Sequence, residues 1–381
     1  LLPLSPGKEL RLTDIEQSVD QINRLRSRRA EAQILPGQTP GGSSVAIETR
    51  PEKFWRVGAA VDNYGQSSTG ERRQREFVEF DNLLGLWDTW SLTAVQALRS
   101  RSELLSMSVP IGFGTFSYAY SQSTSETWLA NIIKLKTEST SQTFGWNQVV
   151  FRDQHFRLAF DGTVAIRESR RRLDSIALKD QQQATGRLAM NLLYRGSQAV
   201  ISGEVGYSKG LPMFGSDTDV PNLPHSAPHN AFEKWDANAN FSWSFADGWV
   251  FRSAFVGQVA NTGLPGQEQL FLGGAGTVRG FKEGTLSGDR GFYMRNELSF
   301  IGSPVRAAAQ AGVQIDPFLL FDTSSSRLLA ESEDQRLASA GIGLRLGWKG
   351  MSADLMWAKP VSAPDWIPRE GRLHFMLTAQ F

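Results

Sequence analysis

Residues 372–381 read Arg-Leu-His-Phe-Met-Leu-Thr-Ala-Gln-Phe, and they decide the fold. Leu373, Phe375, Leu377, Ala379 and Phe381 fall on one face of an extended chain, and Arg372, His374, Met376, Thr378 and Gln380 on the other. Side chains alternate between the faces of a β-strand, so a period of two specifies a strand with one apolar and one mainly polar side. The same pattern recurs upstream. Phe156, Leu158, Phe160, Val164 and Ile166 alternate with Arg157, Ala159, Asp161, Thr163, Ala165 and Arg167. Trp235, Ala237, Ala239, Phe241, Trp243 and Phe245 alternate with Asp236, Asn238, Asn240, Ser242 and Ser244.

A strand tilted across an outer membrane needs roughly 9–11 residues, and these runs have that length. About 16 of them begin near residues 54, 73, 88, 103, 113, 139, 155, 182, 198, 231, 248, 290, 309, 336, 350 and 370. The fifth and sixth are blurred, because residues 127–138 read as strand or as loop. Connections alternate between short (82–87, 152–155, 195–198, 245–249, 349–350) and long (62–72, 167–181, 209–230, 260–290, 323–335). Short turns on one side and long loops on the other mark an outer-membrane barrel. The reading is a mainly β fold: an antiparallel transmembrane β-barrel of about 16 strands over residues 51–381, in the bacterial outer membrane.

Composition agrees. The 381 residues carry 40 Lys+Arg and 39 Asp+Glu, a net charge of +1 that argues against a nucleic-acid partner. Mean hydropathy is −0.29, and no run approaches the ~20 apolar residues of a membrane helix. A barrel escapes that test, since only alternate residues meet lipid. There is no cysteine, which removes disulfides, thiol catalysis and thiolate metal sites. The sequence opens at Leu1 without an initiator Met or a leader, as expected of a processed or truncated chain.

Residues 1–50 differ from the rest. Ile15, Val19, Ile22 and Leu25 follow Thr13-Asp14 at helical spacing. Ala32, Ile34 and Leu35, then Val45-Ala46-Ile47-Glu48, read as two strands around the turn signals Pro36-Gly37 and Pro40-Gly41-Gly42. This is the end of a small α/β module, too short to hold a core alone.

The most informative connection, residues 260–290, contains Leu272-Gly273-Gly274-Ala275-Gly276-Thr277-Val278-Arg279-Gly280-Phe281. Its glycines permit a tight hairpin, and an Arg at the tip can seek a carboxylate with its fork. No Gly-Lys-Ser/Thr follows, and Arg279 stands where a dinucleotide loop needs its third glycine.

Val278-Arg279-Gly280-Phe281 resembles the sixth-loop motif of an outer-membrane superfamily that holds barrel-assembly insertases and two-partner secretion transporters. That superfamily pairs the loop with a Phe-x-Asp-x-Gly strand, matched here by Leu320-Phe321-Asp322-Thr323-Ser324, with Leu320 in place of Phe and Ser324 in place of Gly. Residues 14–25 resemble the second helix of the last POTRA domain of two-partner secretion transporters, and residues 36–47 its closing strand. Trp55-Arg56-Val57-Gly58, Asp62-Asn63 and Phe80-Asp81-Asn82-Leu83-Leu84-Gly85 resemble that family's first hairpin. Terminal Phe381 resembles the assembly signal of outer-membrane proteins. The resemblance spans nearly the whole chain.

The resemblance implies a partial second POTRA domain over residues 1–50, a lumenal loop 260–290, and pairing of Arg279 with Asp322 on the Leu320-Phe321-Asp322 strand. It implies export of a large unfolded exoprotein (adhesin, haemolysin or contact-dependent-inhibition toxin) that docks on the POTRA domain. Further partners would be outer-membrane lipids, lipopolysaccharide and the barrel-assembly machinery. No enzymatic activity, cofactor, metal or nucleic acid is expected. An insertase of the same superfamily is the alternative, and a passive porin a more distant one.

His225 and His229 stand four apart, but Pro224 and Pro228 argue against the helix that would turn both toward a metal. Arg170-Arg171-Arg172 read as a solvated basic loop or a contact for lipopolysaccharide phosphates. Glu297 and Asp354 lack a Ser-His-acid setting and read as lumen charges. Arg295 and Glu297 share one strand face and are expected in a lumenal ion network. Trp55, Trp87, Trp90 and Trp249, near strand ends, suit an interface girdle.

Overall fold

A computed structural model of the chain describes residues 2–5, 7–37, 40–130 and 132–381. Leu1, on which the expectation of processing rests, lies outside them. Sixteen strands close into one barrel: Trp55–Asp62, Arg73–Asp81, Thr89–Ala97, Ser100–Ile111, Gly114–Leu129, Ile133–Arg152, Phe156–Leu173, Gln181–Arg195, Ala199–Leu211, Glu233–Ala246, Trp249–Ala260, Arg290–Phe300, Val313–Arg327, Gln335–Trp348, Met351–Ser362 and Arg372–Gln380. Each pairs antiparallel with the next, and the last pairs with the first. Among the described residues no helix is long and apolar enough to cross a membrane.

The period of two sorts side chains between lipid and lumen. Along Val313–Arg327, Phe318, Leu320, Asp322, Ser324 and Ser326 are buried inside, while Leu319 and Phe321 are 56% and 49% exposed. Trp357, Leu373 and Leu377 are likewise exposed outside, whereas Met356, Ala358 and His374 are buried inside. Large apolar side chains exposed around a closed wall are unstable in water and stable in hydrocarbon.

The barrel differs from the sequence reading in four places. Residues 167–181 are mostly not loop: Phe156–Leu173 continues outward and turns into the short strand Ile176–Ala177. Likewise Val313–Arg327 takes up the start of the expected loop 323–335. Polar residues there keep the alternation beyond the membrane, so composition alone read as loop. The thirteenth strand starts at Val313 rather than near 309, because the helix Ser303–Gln310 fills the preceding turn. Ser-Pro at its start is an ordinary helix-opening pair. The sixth strand starts at Ile133 rather than near 139 and occupies most of the ambiguous 127–138 stretch, of which Asn131 lies outside the described residues.

At the N-terminus the helix Leu12–Asn23 packs Ile15, Ile22 and the following Leu25 against the hairpin Arg28–Pro36 and Ser43–Pro51. This unit is fastened to the barrel rim. The backbone N–H of Ser27 donates to Asp81 at 2.8 Å. Arg24 donates to the carbonyl of Trp87 and to Ser108, and Arg152 to Asp20. Arg56 holds Asp81 from the first strand at 3.1 Å.

Candidate functional site: a loop tethered in the lumen

The connection between Trp249–Ala260 and Arg290–Phe300 folds into the barrel. The paired strands Leu270–Leu272 and Leu286–Gly288 aim its tip inward. Asp289, 2% exposed, anchors the base: it accepts the backbone N–H of Leu264 and of Leu329, each at 2.8 Å, and so ties this loop to the next. Leu272, Val278, Phe281 and Leu286 form an apolar core with Leu337 and with Ala363 and Ile367 of the last outer loop. Burying such side chains contributes about 1.5–3 kcal/mol each, which helps to hold the loop inside.

The charged contacts set its register. Arg279 is fully buried. Its backbone N–H and Nε donate to Asp322 Oδ2 at 3.0 and 2.7 Å, and its Nη2 donates to Asp322 Oδ1 at 2.6 Å. Its Nη1 donates to Glu297 Oε1. Arg345 Nη2 donates to the other oxygen of Glu297 at 2.6 Å, and Arg345 Nη1 to Asp316 Oδ2 at 3.2 Å. Arg252 reaches the same Asp316 oxygen at 3.3 Å. Arg295 lies 3.7 Å from Glu297, and Asp354 3.7 Å from Arg345. Four guanidiniums thus meet four carboxylates on five neighbouring strands and the loop. A balanced network leaves no net charge to drive the loop out of a dry site.

Gly280 completes the tip. Its φ is +89°, a left-handed conformation natural to glycine, and a Cβ there would lie 3.1 Å from the backbone of Ala358. Its N–H donates to Nε2 of His374 at 3.1 Å, so that nitrogen carries no proton in this arrangement. His374, on the final strand, also meets Tyr64 edge-on at 6.2 Å.

The structure therefore brings Val278, Arg279, Gly280 and Phe281 together with Asp322 and Leu320, which packs against Ala275 and Met356. Phe321 does not join them: next to Asp322 in a period of two, it faces lipid, which corrects its expected lumenal place. Phe381 stands at the seam. Its backbone exchanges hydrogen bonds with Val57 of the first strand at 2.9 and 3.3 Å, and the residue is 70% exposed. Asp316, Arg345, His374 and Asp289 escaped the sequence reading. Arg345 and His374 do alternate with apolar residues, which marks lumenal positions; Asp289 carries no such signal. His225 and His229 have ring centroids 6.4 Å apart, and His229 Nδ1 lies 3.4 Å from Asp219. No cluster of three metal-ligating side chains occurs among the described residues.

A closed sixteen-stranded barrel with an inward loop held by an Arg–Asp pair, preceded by an α/β unit on its rim, defines a class of outer-membrane pore. Comparison with known proteins places the chain within it. Residues 41–346 match the family model of the haemolysin secretion/activation proteins ShlB/FhaC/HecB, and residues 1–36 match the POTRA domain. The chain belongs to this family of two-partner secretion transporters of the outer membrane. It is 31% identical to the outer membrane transporter CdiB of Escherichia coli, over 96% of this chain and 64% of that protein. It is 31% identical to the haemolysin transporter ShlB of Serratia marcescens, over 78% of this chain and 56% of that protein. The solved structure of CdiB from Escherichia coli superposes with a TM-score of 0.90 at 27% identity, covering 98% of this chain and 72% of that one. BamA from Haemophilus ducreyi, at 16% identity and a TM-score of 0.64, shares the fold. The chain thus spans about two thirds or less of the length of these curated relatives.

Proposed function

We propose that this protein secretes one large partner exoprotein across the outer membrane, passing it unfolded through the barrel. The relatives support the reading: they include the outer membrane transporter CdiB and the haemolysin transporter ShlB. The observation that carries it is the buried Arg279–Asp322 tether, which holds the connection 260–290 in one position inside the lumen.

Residues 1–50 act as the periplasmic receiving unit and residues 51–381 as the conduit. The exoprotein docks on the receiving domain, to which the hairpin Arg28–Pro36 and Ser43–Pro51 belongs, by adding a strand to an exposed sheet edge. Phe381 serves as the recognition end for the barrel-assembly machinery, and the outer leaflet's lipids and lipopolysaccharide surround the wall. The protein performs no catalysis and needs no cofactor; folding of the cargo outside supplies direction.

The test is co-expression of the full-length protein with the exoprotein encoded beside its gene, followed by assay of the medium. Secretion of that exoprotein alone is expected. Insertion of unrelated barrels with no secretion would instead make it an insertase, and free solute flux without cargo a porin.

A further inference from the structure

The wall opposite the tethered loop is built of hydroxyls. Ser121, Ser141, Arg167 and Gln183 are cross-strand neighbours in one row, and Ser125, Thr137 and Arg171 in another. Between this wall and residues 265–267 of the loop lies a cavity of about 700 Å³ toward the outer end of the barrel. Its lining holds serines, threonines, glutamines, Arg167 and Arg171, and no carboxylate.

Three observations mark it as a site that awaits an anion. First, Arg170, which points outward, is paired with Glu168 and Asp180, while Arg167 and Arg171 have no acidic partner among the described residues. The Arg170-Arg171-Arg172 run is thus split by the period of two: Arg170 and Arg172 are exposed, and Arg171 faces the cavity. Second, Arg171 Nε is buried without a hydrogen-bond partner. Third, Gln183, a residue of the cavity lining, is 7% exposed, its Oε1 accepts from Gln267, and its Nε2 has no partner.

The spacing narrows the ligand. Arg167 and Arg171 lie four residues apart on one strand face, roughly 13 Å at the rise of a β-strand. An extended polypeptide has the same rise, so carboxylates four residues apart on it meet both guanidiniums, while Ser, Thr and Gln side chains satisfy its peptide groups. We propose that this cavity binds an acidic stretch of extended polypeptide, which Arg167 and Arg171 hold as it leaves the barrel. The inference deepens the secretion reading and rests on it for the source of that polypeptide. Lipopolysaccharide phosphates are the rival anions, but they lie in the outer leaflet, whereas these two guanidiniums face the lumen.

The test is binding of a fluorescent octaglutamate peptide to the full-length protein in detergent, with octalysine and purified lipopolysaccharide as competitors. Wild type is expected to bind octaglutamate and not octalysine. The double variant R167Q/R171Q should bind at least tenfold more weakly, and R170Q/R172Q as wild type does. Should R167Q/R171Q fail to assemble, Ser139→Glu, which puts a carboxylate into the cavity, should weaken binding in the same way. Equal binding by wild type and the cavity variants, or displacement by lipopolysaccharide at lower concentration than by unlabelled octaglutamate, overturns the proposal. Secretion by wild type with loss-free octaglutamate binding in R167Q/R171Q sinks the site alone. Arg167- and Arg171-dependent binding without any secretion sinks the transport reading alone.

Discussion

Arg279 and Asp322 are joined by three hydrogen bonds, two from the guanidinium and one from the backbone, and neither side chain is exposed to solvent. The backbone bond matters as much as the fork. It fixes the loop's main chain to the wall at one position, so the pair sets where the loop sits as well as whether it stays. Removing Arg279 strands the buried carboxylate of Asp322 and leaves Glu297 to Arg345. Breaking a buried pair costs about 3–5 kcal/mol. The Arg279→Ala loop is therefore expected to detach while the barrel stays closed. Limited proteolysis of intact cells should cut within residues 260–290 in the variant and not in wild type. Arg279→Lys keeps the charge but loses the fork, and should fall between them.

Gly280→Ala isolates backbone strain from charge. A non-glycine residue in the left-handed region costs about 1–2 kcal/mol, and the added Cβ presses on Ala358. Loop protection should drop less than in Arg279→Ala. Protection equal to wild type would mean that the tip has room to shift.

The seam depends on a side chain. The last and first strands share five register pairs, against eight at the joins on either side. Beyond them Asn63 imitates a strand residue: its Oδ1 accepts the Phe375 N–H at 2.9 Å and its Nδ2 donates to the Leu373 carbonyl at 2.8 Å. At about 0.5–1.5 kcal/mol per hydrogen bond, Asn63→Ala should lower the temperature at which the barrel loses its compact electrophoretic mobility. Asn63→Gln should not restore it, because the longer side chain misplaces both groups.

Acid should loosen the outer rim through Glu71. This carboxylate accepts from Arg372 at 2.9 Å and from Ser67 at 3.0 Å, and it faces Lys282 of the tethered loop at 3.3 Å. The Arg372 hydrogen bond, reinforced by Ser67 and Lys282 and opposed by partial burial, holds its pKa at about 2, below the ordinary 4.5. Because the folded value is the lower one, the stabilisation is complete above pH 4.5 and is lost as pH falls through about 2. Unfolding midpoints of wild type and Glu71→Gln should therefore differ most near neutrality and converge toward pH 2. A difference independent of pH would contradict the assignment.

Much of this was legible in the sequence for a physical reason. Lipid demands that every second residue be apolar, so strands such as Arg372–Gln380 and Glu233–Ala246 announce themselves and count out to sixteen. The Val278-Arg279-Gly280-Phe281 tip and Asp322 were legible through resemblance, not through periodicity. Strand ends above the membrane were not: beyond lipid, the pressure for apolar residues lapses and residues 167–173 look like loop. Phe321 was drawn into the site by sequence adjacency to Asp322, although adjacency in a strand means opposite faces. Asp316 and Arg345 were missed because the ion network forms across strands, between residues far apart in sequence.

The role of the Arg279–Asp322 tether in transport is read from the amount of partner exoprotein that reaches the medium from cells making Arg279→Ala in a correctly assembled barrel. Secretion should fall at least tenfold, with the barrel's heat-modifiable mobility and surface level unchanged. Wild-type secretion by that variant, with residues 260–290 cleavable from outside, would contradict it.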